Sequence, residues 1–195
     1  RKLKPQPHLQ IVFARNCLVT KSLAQGGAAC FFDGEAICWQ RSDQLERVLP
    51  VSEIPVTMNG SARYNIANAL AAVAIARQLG IELAHIQTGL RNFQNSVADN
   101  PGRLNHFEIG GVQAIVDYAH NPHGFEAVFE MMNQLPAGRR LVLLGQAGDR
   151  EESSIRELAR QTWAAQPDLI VIKEMESHLR GRELGEVPAM IEEEL

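Results

Sequence analysis

Cysteine is scarce in this chain and badly spaced for chemistry. Cys17, Cys30 and Cys38 are the three among 195 residues, with no Cys-x-x-Cys pair and no accompanying histidine cluster. That argues against a structural zinc site and a disulfide framework. Buried free thiols in a reducing cytosol are the simpler reading. An excess of positive charge is also missing. The net charge is −4, whereas a general nucleic-acid binder is usually basic. No apolar run approaches the roughly 20 residues that cross a bilayer. The opening Arg1-Lys2-Leu3-Lys4-Pro5 lacks the apolar segment of a signal peptide. Neither the Gly-x-Gly-x-x-Gly dinucleotide fingerprint nor a Gly-x-x-x-x-Gly-Lys-Ser/Thr phosphate loop occurs. There are no internal repeats and no low-complexity segments. The chain starts without Met, and its last residues, Ile191-Glu192-Glu193-Glu194-Leu195, run on in a helical pattern without a cap. We therefore expect a segment of a longer protein.

What is present is ordinary for a globular protein: 45% apolar and 22% charged residues. A chain of this length buries one good core or two small ones. Residues 9–58 read mainly as short strands, over 9–14, 28–32 and 36–40. The last two flank Asp33-Gly34, a hairpin turn signal. Residues 48–56 carry Pro50 and Pro55 and suggest an edge strand or a loop. A short helix fits 18–24. This block would not complete a core, so it reads as the tail of a larger domain.

Two helices follow. Ser61 is placed to cap the first; Ile66, Leu70, Val73 and Arg77 share one face, and Gly80 ends it. The second runs over 82–92. The turn Asn100-Pro101-Gly102 then marks a boundary, giving domains 1–100 and 101–195. Beyond it the order is strand 104–109, turn Gly110-Gly111, strand 112–117, helix 125–135, strand 140–145, helix 151–165, strand 168–172, helix 183–194. After the hairpin, strands alternate with helices. That predicts an α/β fold with a Rossmann-like, mostly parallel sheet.

In such a sheet the strand ends share one edge, where ligands bind. Three polar loops fall there. One is Asp117-Tyr118-Ala119-His120-Asn121-Pro122. The second is Gly145-Gln146-Ala147-Gly148-Asp149-Arg150. The third is Lys173-Glu174 with His178 and Arg180-Gly181-Arg182. A carboxylate, a histidine and several cations suit a polyanion that carries a ribose. Each residue has a plainer reading. Asp117 equally fits a cap for the next helix, His120 a structural role, the glycines a turn, and Arg180 and Arg182 a solvated surface. The shared edge favours the functional reading. Asn65 and Asn68 lie three residues apart on an Ala-rich helix, where Asn is a poor helix former, so they suggest hydrogen-bonding work, or a contact with a neighbouring loop. Arg103 follows the boundary turn and is placed to reach between domains, or is a surface arginine.

These motifs resemble the C-terminal half of the Mur ligase family of ATP-dependent amide-bond ligases, and within it the cyanophycin synthetase branch. The resemblance rests on Tyr64-Asn65-Ile66-Ala67-Asn68-Ala69-Leu70-Ala71-Ala72, Asn100-Pro101-Gly102-Arg103-Leu104-Asn105, Asp117 to Pro122, Gly148-Asp149-Arg150, and Ile172-Lys173-Glu174 with Leu179-Arg180-Gly181-Arg182. Asn16 to Thr20 and Gly26 to Cys30 extend it over almost the whole chain. It implies the tail of a central ATP-binding domain, then a C-terminal Rossmann-like domain. It implies that a carboxylate is phosphorylated by ATP and that an amine attacks the acyl phosphate. It implies adenine-side contacts from Asn65 and Asn68, and a phosphate and ribose grip from Arg103 and Asp117. His120 and Asn121 would lie near the phosphates or the acceptor, with His120 and Lys173 in catalytic roles. Asp149, Arg150, Arg180 and Arg182 would face the amino-acid or peptide substrate. ATP is the implied cofactor, with Mg2+ ligands mainly outside this chain and no metal site within it. The implied partners are upstream domains of the same chain, with homo-oligomerisation left open and neither nucleic acid nor membrane expected; the implied location is the cytoplasm.

Departures accompany the resemblance. The phosphate loop and the ATP-grasp module of cyanophycin synthetases are missing, so we expect no ligase activity from this chain alone. Tyr64 stands where many Mur enzymes have His. The Asp-Asn-Pro-Arg signature of diaminopimelate-adding enzymes is missing, which lowers a peptidoglycan role. A folylpolyglutamate synthetase-like ligase is the alternative within the enzymes, although Tyr118 replaces its Gly. A non-catalytic nucleotide-binding or assembly module is the alternative outside them.

Overall fold

The computed structural model describes residues 9–12 and 17–195. Arg1 to Pro5, the last two residues of the strand expected over 9–14, and Asn16 lie outside the described residues. The chain divides into two compact units, Arg1–Asp117 and Tyr118–Leu195.

The first unit is built on a four-stranded sheet in the order β1 (Leu9–Val12), β2 (Ala28–Phe32), β3 (Ala36–Arg41), β4 (Gln44–Pro50). The β1–β2 pair is parallel, and the other pairs are antiparallel. The β2–β3 turn forms where Asp33-Gly34 predicts it. Gly34 takes a positive φ, and Asp33 Oδ1 accepts the N–H groups of Glu35 and Ala36 at 2.9 and 2.7 Å. Both sheet faces are covered. Ala28, Cys30, Ile37, Trp39 and Leu49 pack against Ile66, Leu70 and Val73 of α2 (Arg63–Gln78) and Ile86 of α3 (Leu83–Asn92). On the other face Ala29, Phe31 and Cys38 pack against Val19 of α1 (Cys17–Ala24). Cys30 and Cys38 thus lie on opposite faces and are free thiols. Burial pushes both up to about 12.

Two local expectations need correction. The fourth strand begins at Gln44, ahead of the expected 48, and residues beyond Pro50 form two short 3-10 turns, Val51–Glu53 and Pro55–Thr57. The buried Thr57 hydroxyl secures those turns, within 2.7 and 2.8 Å of the Val51 and Ile54 carbonyls. Ser61 does not cap α2: its hydroxyl donates to Met58 O at 2.7 Å, and Ala62 takes the cap position with no side-chain bond. The C-terminus is as expected. Gly80 has φ +79, its N–H reaches Arg77 O, and the Ile81 N–H reaches Ala76 O.

An antiparallel hairpin, β5 (Asn105–Ile109) and β6 (Val112–Val116), closes the first unit. Buried Asn105 ties it to the Asn100-Pro101-Gly102 turn, donating to Asn100 O at 2.9 Å and accepting Gly102 N–H at 2.6 Å.

The second unit runs α4 (Pro122–Gln134), β7 (Leu141–Leu144), α5 (Glu152–Ala164), β8 (Leu169–Ile172), α6 (Glu186–Glu192). The predicted βαβ unit is β7–α5–β8, with the two strands paired in parallel. β6 pairs with β5, so the expected single sheet is seen as two strand pairs. Ile155 and Ala159 of α5, with Val187, Met190 and Ile191 of α6, cover one face of β7–β8 together with Phe125. Leu141, Leu143, Leu169 and Val171, on the other face, are exposed. No helix among the described residues is long and apolar enough to cross a membrane.

Candidate functional site

Leu144 pairs with Ile172, so β7 and β8 end side by side and their following loops leave from one edge. Those loops approach closely because two positions lack a Cβ. A Cβ on Gly145 would stand 2.6 Å from Lys173 O, and one on Gly148 would overlap the Leu179 carbonyl. Neither glycine has a positive φ. They serve close approach between loops, which corrects the reading that they serve a turn only. The Gly148 N–H donates to His178 O at 2.9 Å.

Arginine fixes this contact. Arg182 Nε donates to Gly148 O at 2.9 Å, Nη2 to Arg150 O at 3.2 Å and Nη1 to Glu186 Oε1 at 2.5 Å. Its side chain is only 20% exposed. Arg180 behaves differently. Its Nη1 meets Asp149 Oδ2 at 2.5 Å in an open pair, with the two side chains 48% and 41% exposed. The hydrogen bond from Arg180 holds the Asp149 carboxyl below the usual carboxylate range. Glu174 organises its own loop, accepting the N–H groups of Met175 and Gly185. Lys173 is anchored through its backbone N–H to Leu144 O at 2.8 Å.

The first polar loop reaches the second. Gln146, buried, donates through Nε2 to His120 O at 3.0 Å. His120 Nδ1 lies 3.1 Å from Tyr118 O. A carbonyl only accepts, so in the neutral ring Nδ1 carries the proton and Nε2 the lone pair. The Tyr118 and His120 rings tilt together with centroids 5.2 Å apart. Asn121 is the N-cap of α4: its Oδ1 accepts Gly124 N–H at 2.9 Å, and Pro122 follows in the first turn. Asp117, for which capping was the plainer reading, instead accepts the Leu104 N–H at 2.9 Å. Leu104 is buried with φ +52, an uncommon backbone for a branched residue. Arg103 precedes it, with its N–H on Asn100 O.

Also in the first unit, Asn65 Nδ2 donates to Val56 O at 2.7 Å, and Asn68 Nδ2 donates to Asn65 Oδ1 at 3.2 Å. The neighbouring-loop contact foreseen for the pair is therefore real for Asn65. Both line a cavity of about 450 Å³ between α2 and α3, with Ala72, Val73, His85 and Phe93. The Tyr64 hydroxyl is buried with no hydrogen-bond partner among the described residues. Burial, then the Asp117 charge, raises its pKa. Among the described residues no three His, Cys, Asp or Glu side chains group as a metal site.

Residues 102–192 match the family described as Mur ligase, glutamate ligase domain. Two relatives show which branch it is similar to. It is 37% identical over 174 residues to the cyanophycin synthetase of Trichormus variabilis, covering 89% of this chain and 19% of the relative. It is 36% identical over 176 residues to that of a Synechocystis species, covering 90% and 20%. The chain thus spans about a fifth of the length of these curated relatives. The fold is similar to folylpolyglutamate synthase from Thermotoga maritima, with TM-score 0.59 and 19% identity over 95% of this chain and 45% of that one.

Proposed function

We propose that this chain forms part of an ATP-dependent amino-acid ligase that makes a cyanophycin-like aspartate–arginine polymer. The carrying observation is the β7–β8 edge, where glycine-dependent packing gathers His120, the Asp149–Arg180 pair and Arg182 around adjoining loops. The identity to cyanophycin synthetases supports the substrate class. ATP supplies the phosphoryl group that turns a substrate carboxylate into an acyl phosphate. The incoming amine nitrogen then bonds to the acyl carbon, the carbon–oxygen bond to phosphate breaks, and the amine loses a proton.

This chain's residues take the following parts in the proposal. Asn65 and Asn68 face the adenine, supported by their place on the cavity wall. Arg103 and Asp117 hold phosphate and ribose. His120 accepts the amine proton at Nε2, supported by the Nδ1 contact with Tyr118 O. Asn121 orients its loop by capping α4. Lys173, Arg150 and Arg180 face anionic substrate groups, where cations stabilise developing charge. We assign the magnesium ligands mainly to residues outside this chain. We place the family-domain boundary at residue 101, supported by the match that begins at 102; the compact units divide later, after Asp117. A cytoplasmic location belongs to the same proposal, supported by the two unbridged buried thiols.

A chimera tests this reading. The matching segment of the Trichormus enzyme is replaced by this chain, and ATP- and arginine-dependent amide formation is measured. We expect activity, with Asp117→Asn lowering it about a hundredfold, as loss of a charge-assisted ligand contact can. A folded chimera without amide formation would sink the proposal; detectable ligase activity of the 195-residue chain by itself would overturn only the expectation that it is inactive alone.

A further inference from the structure

Two arginines separated by one glycine are engaged in opposite ways. Arg182 is mostly covered, and its guanidinium donates to two backbone carbonyls and to Glu186. Moving it would leave three acceptors without their donor. Arg180 is half-exposed, and its one hydrogen-bonding partner among the described residues is Asp149, through Nη1 alone. Nε and Nη2 of Arg180 make no hydrogen bond there. The backbone at Arg180 has φ +46, followed by Gly181 at φ +98. A non-glycine residue in that region is held against its own preference, which is commonest where a side chain has work to do.

We propose that Asp149 holds the place of a ligand carboxylate on Arg180, and that a free carboxylate, such as an aspartyl side chain, displaces it. An arginine fork binds carboxylates best through two parallel hydrogen bonds. Asp149 supplies one, so an incoming carboxylate has more to gain than Asp149 has to lose. Exposed ion pairs are weak, on the order of a fivefold change in an equilibrium at most, so the exchange is easy. Arg182 is the positioning residue: it fixes the Gly148 and Arg150 carbonyls on either side of Asp149 and so presents the pair at the loop surface. The inference rests on the ligase reading only for the identity of the substrate.

The test is an NMR titration of the 15N-labelled 195-residue chain with N-acetylaspartate, following the Arg180 Nε–Hε signal. Asp149→Asn removes the internal competitor and should tighten binding about two- to fivefold. Arg180→Gln should weaken it about tenfold or more. Glu151→Gln neutralises a nearby carboxylate that does not touch Arg180 and should leave the affinity unchanged. Arg182→Lys keeps the charge but not the fork, so it should weaken binding and broaden the 148–150 amide signals. Unchanged or weaker binding by Asp149→Asn overturns the proposal. So does equal tightening by Glu151→Gln, which would reduce the effect to net charge, or a response to inorganic phosphate in place of the carboxylate. Amide-signal patterns like that of the parent chain confirm that the variants fold. No ATP enters the titration, so its failure leaves the ligase reading standing, and an inactive chimera leaves this inference standing.

Discussion

The two units solve the same problem of a small sheet with different completeness. In the first, helices cover both faces, and residues 28–31 and 36–40 are buried without interruption. In the second, α5 and α6 cover one face of β7–β8 and leave four apolar side chains exposed on the other. A strand covered on both sides reads as a continuous apolar run, while one covered on one side reads as an alternation. β7 and β8 have continuous apolar sequences, Leu-Val-Leu-Leu and Leu-Ile-Val-Ile, with half of that pattern used. The lesson is that stability should be concentrated around the first unit's sheet. Ile66→Ala, at the centre of its α2 contact and 1% exposed, should cost about 2–5 kcal/mol. Urea denaturation checks it. A cost below about 1 kcal/mol would remove the contrast between the units.

Within the second unit, loop packing rather than the sheet face should show the next largest effect. Gly148→Ala forces a methyl into the Leu179 carbonyl. The loops must separate, at about 1–3 kcal/mol of overpacking strain, and amide exchange at 146–150 should accelerate. A stable variant with unchanged exchange would mean that the loops are not held in contact. Smaller still, Asn121→Ala removes the α4 cap at about 1 kcal/mol. Asp117→Ala should leave the α4 amide signals in place, because Asp117 is not the cap.

Much of the fold was legible because it depends on local signals. Asp33-Gly34 carries its own turn chemistry, Gly80 supplies a left-handed helix end, and the alternation beyond Gly111 gives the βαβ order. The misses share a physical cause: long-range contact. Leu45 points to solvent on an edge strand, so no alternation announced the start of β4 at Gln44. Gly148 looks like a turn residue until Leu179 is placed against it. Asp117 fits a cap until the buried, left-handed Leu104 turns its N–H toward it. The two arginines of Arg180-Gly181-Arg182 are alike in sequence. Only the spacing of Arg182 to Glu186, four residues on, hinted that one of them was committed locally. The sequence placed Asp149, Arg150, Lys173, Arg180 and Arg182 on loops beyond β7 and β8, where the structure has them, but could not divide covered side chains from exposed ones.

Acid sharpens the comparison again. Burial alone would raise the Asp33 carboxyl. The Ala36 and Glu35 N–H groups, the Cys38 thiol and Arg47 outweigh it and hold Asp33 below its ordinary value. A carboxyl depressed in the folded state stabilises fully above its unfolded pKa, about 3.9, and that stabilisation is lost as pH falls through the folded value. Asp33→Asn should therefore destabilise the chain at pH 7 and matter progressively less below about pH 4. A pH-independent difference in denaturation midpoint would show that the turn is not held by the charged carboxylate.

The smallest expected effect tests the comparison at its weakest point. Leu143 is 59% exposed on the open face of β7, while Ile37 is fully buried on the covered face of β3. Both sit in strands, and threonine suits a strand in either place. Ile37→Thr places a hydroxyl in a closed apolar core and should cost about 2–4 kcal/mol. Leu143→Thr replaces an exposed isobutyl side chain with a smaller hydroxyl-bearing one and should stay within about 0.5 kcal/mol. Denaturation of the two variants, each measured over a range of protein concentrations, compares the faces directly. If Leu143→Thr costs as much as Ile37→Thr, the open face of β7–β8 is covered in solution. A cost that grows with concentration would identify the cover as a second copy of the chain, and a constant one would place it within the same molecule.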